Sequence, residues 1–180
     1  MLTVLSLCDF TGNWSRPYRD AGYDVRQVDL RHGDDVRLFK ALAYPVRGIL
    51  AAPPCTEFAS SGARWWKEKG EQKLIDGLAL VDAICRIILT HRPQWWVIEN
   101  PVGRLKDYLG QPSFCFDPCD YGDPYTKRTC LWGRFNAPFK ARVEATEGSK
   151  MHLLPPSPDR AALRSETPMG FSRAFFEANP

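Results

Sequence analysis

The 180-residue sequence predicts an α/β protein built on a mostly parallel central sheet that is covered on both faces. Two observations predict it. Short apolar, strand-like runs recur between helical segments: TVLSL at 3 to 7, YDVRQVD at 23 to 29, RGILAA at 47 to 52 and QWWVIEN at 94 to 100. Those runs also end in polar or reactive groups, namely Asp29, Cys55 behind two prolines, and Glu99 with Asn100. Ligands of open α/β sheets bind beyond the carboxyl ends of the strands, so these groups are expected to meet on one edge.

TVLSL reads as a first buried strand, and after a polar turn WSRPYRDAG forms a short helix ending at Gly22. YDVRQVD alternates at period two and ends in Asp29, about twenty residues beyond the first turn. An acid there suits the hydroxyls of a nucleotide ribose, or simply solvates a strand end. GDDVRLF sets two acids before another apolar segment, and RGILAA is the next strand. Pro53 and Pro54 end it, because proline fixes φ and has no N–H for a ladder. Residues 71 to 90 give the strongest helix, with Leu74, Leu78, Val81, Ile84, Cys85, Ile88 and Leu89 on one face. Pro93 closes it, and QWWVIEN comes next, with Trp95 and Trp96 expected in the core. Beyond Gly110 the chain is aromatic and turn-rich, with short strands near 113 to 116 and 129 to 133. Residues 136 to 170 read as an irregular proline-rich surface loop, and RAFFEANP as a short amphipathic helix. Ser165, Glu166 and Thr167 suit a cap or brace for that helix.

Composition narrows the classes. The formal charge of +3 argues only weakly for a polyanionic partner, so any basic surface must come from clustering. Six cysteines, with no secretory leader ahead of them, are too sparse for a disulfide scaffold and indicate a reduced, cytoplasmic protein. Only Cys115 and Cys119 are close in sequence, and His32, His91 and His152 are scattered, so no metal site is expected. The run LTVLSL is too short for a membrane span.

Taken alone, Cys55 fits either a buried thiol in a tight turn or a nucleophile on a rigid backbone. A free thiol, a strand-end carboxylate and a basic residue near a turn combine into one chemistry. A thiolate adds to C6 of cytosine, C5 becomes nucleophilic, and a carboxylic acid near N3 holds the ring in its activated form. A base inside a duplex must also be extruded from the stack.

The residues resemble the DNA cytosine C5-methyltransferase superfamily, in a short phage-type form without a full target-recognition domain. Pro54–Cys55 within AAPPC matches the family's PC dipeptide, which presents the nucleophile, and Glu99–Asn100 matches its ENV element, with Pro101 in place of the valine. Tyr121, Gly122, Asp123 and Pro124 match a later pattern that leads through Lys127 and Arg128 into a strand ending at Gly133. Arg128 matches the second family arginine; the glutamine and the first arginine have no clean counterpart. LCDFTGNWS corresponds to the cofactor turn, with Phe10 and Gly12 in pattern and Trp14 where a glycine is usual.

The resemblance implies a Rossmann-like S-adenosylmethionine-dependent methyltransferase fold. Cys55, Glu99 and Arg128 would be catalytic. Phe10, Thr11, Gly12, Asn13, Trp14, Asp29, Asp34, Asp35 and Pro53 would lie on the cofactor side, with Asp34 or Asp35 toward the adenine and first-turn amides around the methionine carboxylate. Asn100, Arg64, Trp65 and Lys127 would face substrate. Residues 1–135 would form the catalytic core, and 136–180 a short loop and helix packing on it. DNA is the implied substrate, in the cytoplasm of a phage-infected bacterial host.

Two departures qualify the resemblance. About fifty residues come after Gly133, so little chain is left to read base edges, and either low sequence specificity or a separate targeting partner is implied. The family's closing GN-containing segment is also replaced by ETPMGFSRAFFEANP. RNA, free cytidine nucleotides or an altered S-adenosylmethionine-type donor remain alternatives, as do a non-catalytic nucleic-acid-binding domain and a partner subunit. Trp65 and Trp66, among Arg64, Lys67 and Lys69, suit a mobile lid that stacks on a base or the start of a half-buried helix.

Overall fold

In a computed structural model, which describes residues 2–157 and 160–180, the chain forms a six-stranded sheet in the order β2-β1-β3-β4-β6-β5. The strands are β1 (Thr3–Leu7), β2 (Asp24–Val28), β3 (Gly48–Ala51), β4 (Trp95–Pro101), β5 (Phe114–Phe116) and β6 (Thr129–Arg134). The first four are parallel, and β6 runs antiparallel between β4 and β5. The fold is Rossmann-like, of the type on which S-adenosylmethionine-dependent methyltransferases are built. From β1 the chain crosses first to β2 and then to β3 on the other side, which puts a topological switch point at the carboxyl end of β1. Because β6 is reversed, its amino-terminal end at Thr129 pairs with Pro101 and lies on that same edge.

Period-two alternation sends neighbouring strand residues to opposite faces. Leu5, Leu7, Ile49, Ala51 and Ile98 face α2 (Trp66–His91), which contributes Val81, Ile84, Ile87 and Ile88. Val4, Leu50, Val97 and Leu131 face an aromatic layer. Trp14 and Tyr18 of that layer come from α1 (Arg16–Asp20) and the turn before it, and Phe171 and Phe175 from α6 (Met169–Ala178). Phe171 stacks on Phe116 with ring centroids 3.9 Å apart, and Tyr18 Oη donates to the Asn179 carbonyl at 2.8 Å.

The predicted strands and the long helix are present, with three corrections. The long helix starts at Trp66, five residues early, and is interrupted at Gly70, where φ of 75° and ψ of 174° break the helical path. Leu89 is 75% exposed, and Ile87 and Ala83 take its place, because the buried face centres on Val81, Ile84 and Ile88 and leaves position 89 on its margin. The 136 to 170 stretch also contains two short helices, α4 (Lys150–Leu153) and α5 (Arg160–Ser165), besides α3 (Lys106–Leu109) earlier in the chain. Backbone bonds from Ala141 and Val143 to the Asp120 and Cys119 carbonyls lay its first part along the 117 to 126 loop. Among the described residues no helix is long and apolar enough to cross a membrane.

Candidate active site

Two turns bound the carboxyl edge of the sheet. After β3 the double proline divides its work: Pro53 is buried and Pro54 exposed, and Cys55 opens a 3-10 turn over Cys55–Glu57. The Pro53 carbonyl accepts from Asn100 Nδ2 at 2.9 Å, tying this turn to β4. Asn100 is fully buried. Asn100, a predicted substrate contact, thus braces the turn from β4 through its Nδ2.

The loop after Cys55 is fastened to the loop after Glu99. Ser60 N–H donates to the Val102 carbonyl, Arg104 N–H to the Phe58 carbonyl, and Arg104 Nε to the Glu57 carbonyl at 2.7 Å. Gly103 is where the two backbones meet: a Cβ there would lie 1.9 Å from the Phe58 carbonyl oxygen. Lys69 closes the other side, donating to the Thr56 carbonyl and pairing with Glu57 at 3.2 Å. Trp66 lies under the Arg104 guanidinium, whereas Trp65 is 47% exposed with Arg64 over its ring at 5.0 Å. The Arg64–Trp65 pair thus stands on the surface beyond Cys55, and Trp66 is the helix start.

Glu99 is close enough to Cys55 for its charge to be felt at the thiol. Burial pushes the Cys55 thiol up and the Glu99 charge pushes it further; Lys127, the Cys55 N–H and Arg164 act against them. Burial likewise raises the Glu99 carboxyl, Lys127 lowers it, and Asp9 adds to the rise. The cation that both groups feel is Lys127. Arg128, the predicted catalytic arginine, instead pairs with Asp117 at 3.3 Å with its side chain half exposed. Lys127 Nζ donates to the Glu166 carbonyl at 3.4 Å and has no carboxylate partner among the described residues.

The second turn, residues 8 to 15, comes after β1. Cys8 takes a φ of 58°, rare for a residue with a side chain, and its thiol is pushed up to about 12 by burial and then by Asp29 and Asp35. Asp9 organises the turn from its centre. Its carboxylate accepts from Ser6 Oγ at 2.8 Å, Ser15 Oγ at 3.2 Å and Gly12 N–H at 3.0 Å, while Gln27 Nε2 donates to the Asp9 and Phe10 carbonyls. The Gly12 amide is therefore turned inward, and the Asn13 N–H is directed to the Thr11 hydroxyl. The expectation that these amides embrace a carboxylate is corrected to that extent. Trp14 is corrected as well: its indole is fully buried against Phe171 and Phe175.

The rest of this half is open. The Phe10 ring is 39% exposed beside His32 and the Arg31 guanidinium. Asp29, at the end of β2, accepts the Arg31 N–H through Oδ1, leaving Oδ2 without a partner among the described residues. Of the two acids beyond it, Asp35 is engaged by the Arg37 guanidinium and N–H, whereas Asp34 is exposed and its carboxylate is unpaired among the described residues. An exposed ring, a strand-end carboxylate and a second available acid on one edge fit a nucleoside-containing cofactor such as S-adenosylmethionine.

Asp9 and Gly103 were missed in the sequence. Asp9 lies within the LCDFTGNWS turn and carried a signal, a carboxylate with small polar residues after it. Gly103 matters only through Phe58, distant in the chain.

No family model and no curated protein matches the sequence. Among solved structures the chain is similar to the crystal structure of a candidate DNA modification methyltransferase encoded within an E. coli prophage. The TM-score is 0.53 at 18% identity, covering 87% of this chain and 56% of that one. The chain spans little more than half the length of that protein, and the likeness is one of fold.

Proposed function

We propose that the chain is an S-adenosylmethionine-dependent methyltransferase that acts on C5 of cytosine in DNA through a covalent Cys55 adduct. The observation that carries the reading is the pairing of a half-buried thiol with a strand-end carboxyl, Cys55 and Glu99, beside one shared cation, Lys127. Neither a binding module nor a structural subunit needs that pair.

The electrostatics suit the chemistry. An ionised Glu99 opposes ionisation of Cys55, so the two do not readily carry charge together. A proton kept on Glu99 relieves that opposition, and a protonated Glu99 is also the form that donates to cytosine N3. The Cys55 sulfur then forms a bond to C6, and the charge passed into the ring is met by the proton held at Glu99. S-adenosylmethionine, when bound, supplies an electrophilic methyl group; Asp29, Phe10 and Asp34 are the residues suited to hold it. Once a base or water has taken the C5 proton, the electron pair of that bond restores the C5–C6 double bond and the C6–S bond breaks, returning its pair to Cys55. Lys127 faces the sulfur and carboxyl side, and Arg64 with Trp65 offers a cationic, stacking surface to the polymer.

The prophage protein of similar fold, a candidate DNA modification methyltransferase by name, supports DNA as the first substrate to test.

The test is incubation with labelled S-adenosylmethionine and, in parallel, duplex DNA, single-stranded DNA, RNA and dCMP, with products resolved by mass. We expect 5-methylcytosine from DNA, its loss in C55A, and a covalent adduct with 5-fluorocytosine DNA. Full activity in C55A would overturn the nucleophile, and methylation of RNA or dCMP alone would overturn the substrate.

A further inference from the structure

Two cysteines away from the Cys55 turn face each other at the edge of the sheet. Cys115 of β5 and Cys130 of β6 are register partners in an antiparallel pair, and their sulfurs are 3.0 Å apart. Both are free thiols. Directly opposed residues of such a pair have Cα atoms about 4.5 to 5.5 Å apart, inside the range of about 4.4 to 6.8 Å that a disulfide spans. A covalent bond between the two sulfurs therefore asks little of the backbone.

The two thiols differ in access. β5 is the edge strand and Cys115 is half-buried on it, whereas Cys130 lies inside the sheet, between Cys115 and Asn100, and is 5% exposed in the aliphatic core. Burial also pushes the Cys130 thiol up, and Cys115 adds to the rise. Cys115 is thus the sulfur that a reagent in solution meets first, and Cys130 is the one placed to resolve the product. Cys119 is nearer to Cys115 in the chain, but it sits in the 3-10 turn over Pro118–Tyr121, where its N–H donates to the Tyr125 carbonyl at 3.1 Å.

The residues between the two cysteines form the loop that carries Lys127 and Arg128 into β6. Polar contacts close that loop at its base: Asp117 accepts the Lys127 N–H through Oδ1 at 3.1 Å and pairs with Arg128 at 3.3 Å. On the β5 side only three residues attach it to the sheet. A bond from Cys115 to Cys130 would close the same loop covalently. On its other flank Cys130 is the register partner of Asn100, which braces the Cys55 turn.

We propose that Cys115 and Cys130 are a reversible thiol–disulfide modification site, oxidised by low-molecular-weight disulfides of the glutathione type, and that the bond clips the loop between them to the sheet. The Cys115 thiolate attacks one sulfur of the small disulfide, and the other sulfur leaves as a thiolate. Cys130, giving up its proton, then attacks the Cys115 sulfur of the mixed disulfide and displaces the second small thiolate. Two protein thiols are oxidised, and one small disulfide is reduced to two thiols, which take up the two protons. The proposal does not depend on the methyltransferase reading.

To test it, the reduced full chain is equilibrated with graded ratios of oxidised to reduced glutathione, quenched with N-ethylmaleimide and digested by trypsin without reduction. A cross-link is expected between the peptide that holds Cys115 and Cys119 and the peptide that holds Cys130. It is kept in C119S, lost in C115S and in C130S, and undone by dithiothreitol. The linked protein should melt about 6 to 12 °C above the reduced one, because the bond closes a loop of some fifteen residues. Both thiols still alkylated at the most oxidising ratio, a glutathione adduct that stays on Cys115, or a link that disappears in C119S would overturn the disulfide. An unchanged melting temperature in fully linked protein would overturn the clip. The parent chain and C119S decide the matter even where a serine at 115 or 130 impairs folding.

Discussion

The two turns that bound the site are held in opposite ways. The Cys55 turn is fastened from outside, by backbone groups of the loop after Glu99 and by Asn100 of β4. The turn after β1 is fastened from within, around the single buried carboxylate of Asp9. The first arrangement fixes Cys55 through backbone groups and tolerates side-chain change better than a change of backbone spacing. The second leaves the outward side of its turn open to a ligand but stakes its shape on one residue.

The sharpest break is G103A. A Cβ at that position meets the Phe58 carbonyl oxygen, a backbone atom that cannot swing aside. Stability is expected to fall by about 3 kcal/mol, seen as a melting temperature lower by about 6 to 12 °C. Displacing Cys55 by even an ångström would cost about 100-fold in methyl transfer. If G103A melts and methylates like the parent, the two loops are not held by that contact.

D9N acts on the other turn. An amide nitrogen cannot accept from Ser6, Ser15 and Gly12 together, so about 2 kcal/mol is lost. Calorimetric binding of S-adenosylhomocysteine should weaken while Cys55 alkylation changes less, and the reverse pattern would mean that the two turns are not independent.

The smallest change in stability comes from E99Q, at the residue between them. Burial raises the Glu99 carboxyl above its ordinary range, with Lys127 opposing and Asp9 adding. The folded state therefore binds that proton more tightly than the unfolded one. The contribution is present below the unfolded carboxyl value and is lost as pH rises through the folded one. E99Q carries no such loss, so thermal melts of the two proteins should separate in its favour as pH rises through that window. Methylation by E99Q falls by about 100- to 10,000-fold, the usual worth of a general acid.

The placement of the candidate residues was legible where polar groups sit at a strand end. Cys55 behind its prolines, Glu99 and Asp29 are read from short local patterns, and the parallel sheet brings their strand ends to one edge. What the sequence could not reveal depends on pairings it does not contain. Trp14 stands in the turn that resembles a cofactor loop, yet its indole is claimed by Phe171 and Phe175. Gly103 looks like any loop glycine until Phe58 lies against it. Lys127 is the cation felt at both Cys55 and Glu99, while Arg128 is paired with Asp117. The long helix shows both sides, since its interior is dictated by periodicity while its start is obscured by the break at Gly70.

The aromatic layer beneath α6 carries a consequence for how the chain acquires its fold. The bond from Tyr18 to Asn179 joins residues 161 positions apart, and Trp14 waits on Phe171 and Phe175 over nearly the same span. During synthesis the sheet can pair and α2 can cover its aliphatic face well before residues 169–178 emerge. Until then one side of the nascent protein presents Trp14, Tyr18, Trp95 and Phe116 to water, a sticky aromatic surface with a long contact still to close. Chaperone demand and aggregation during expression should therefore track the emergence of α6 rather than the assembly of the sheet.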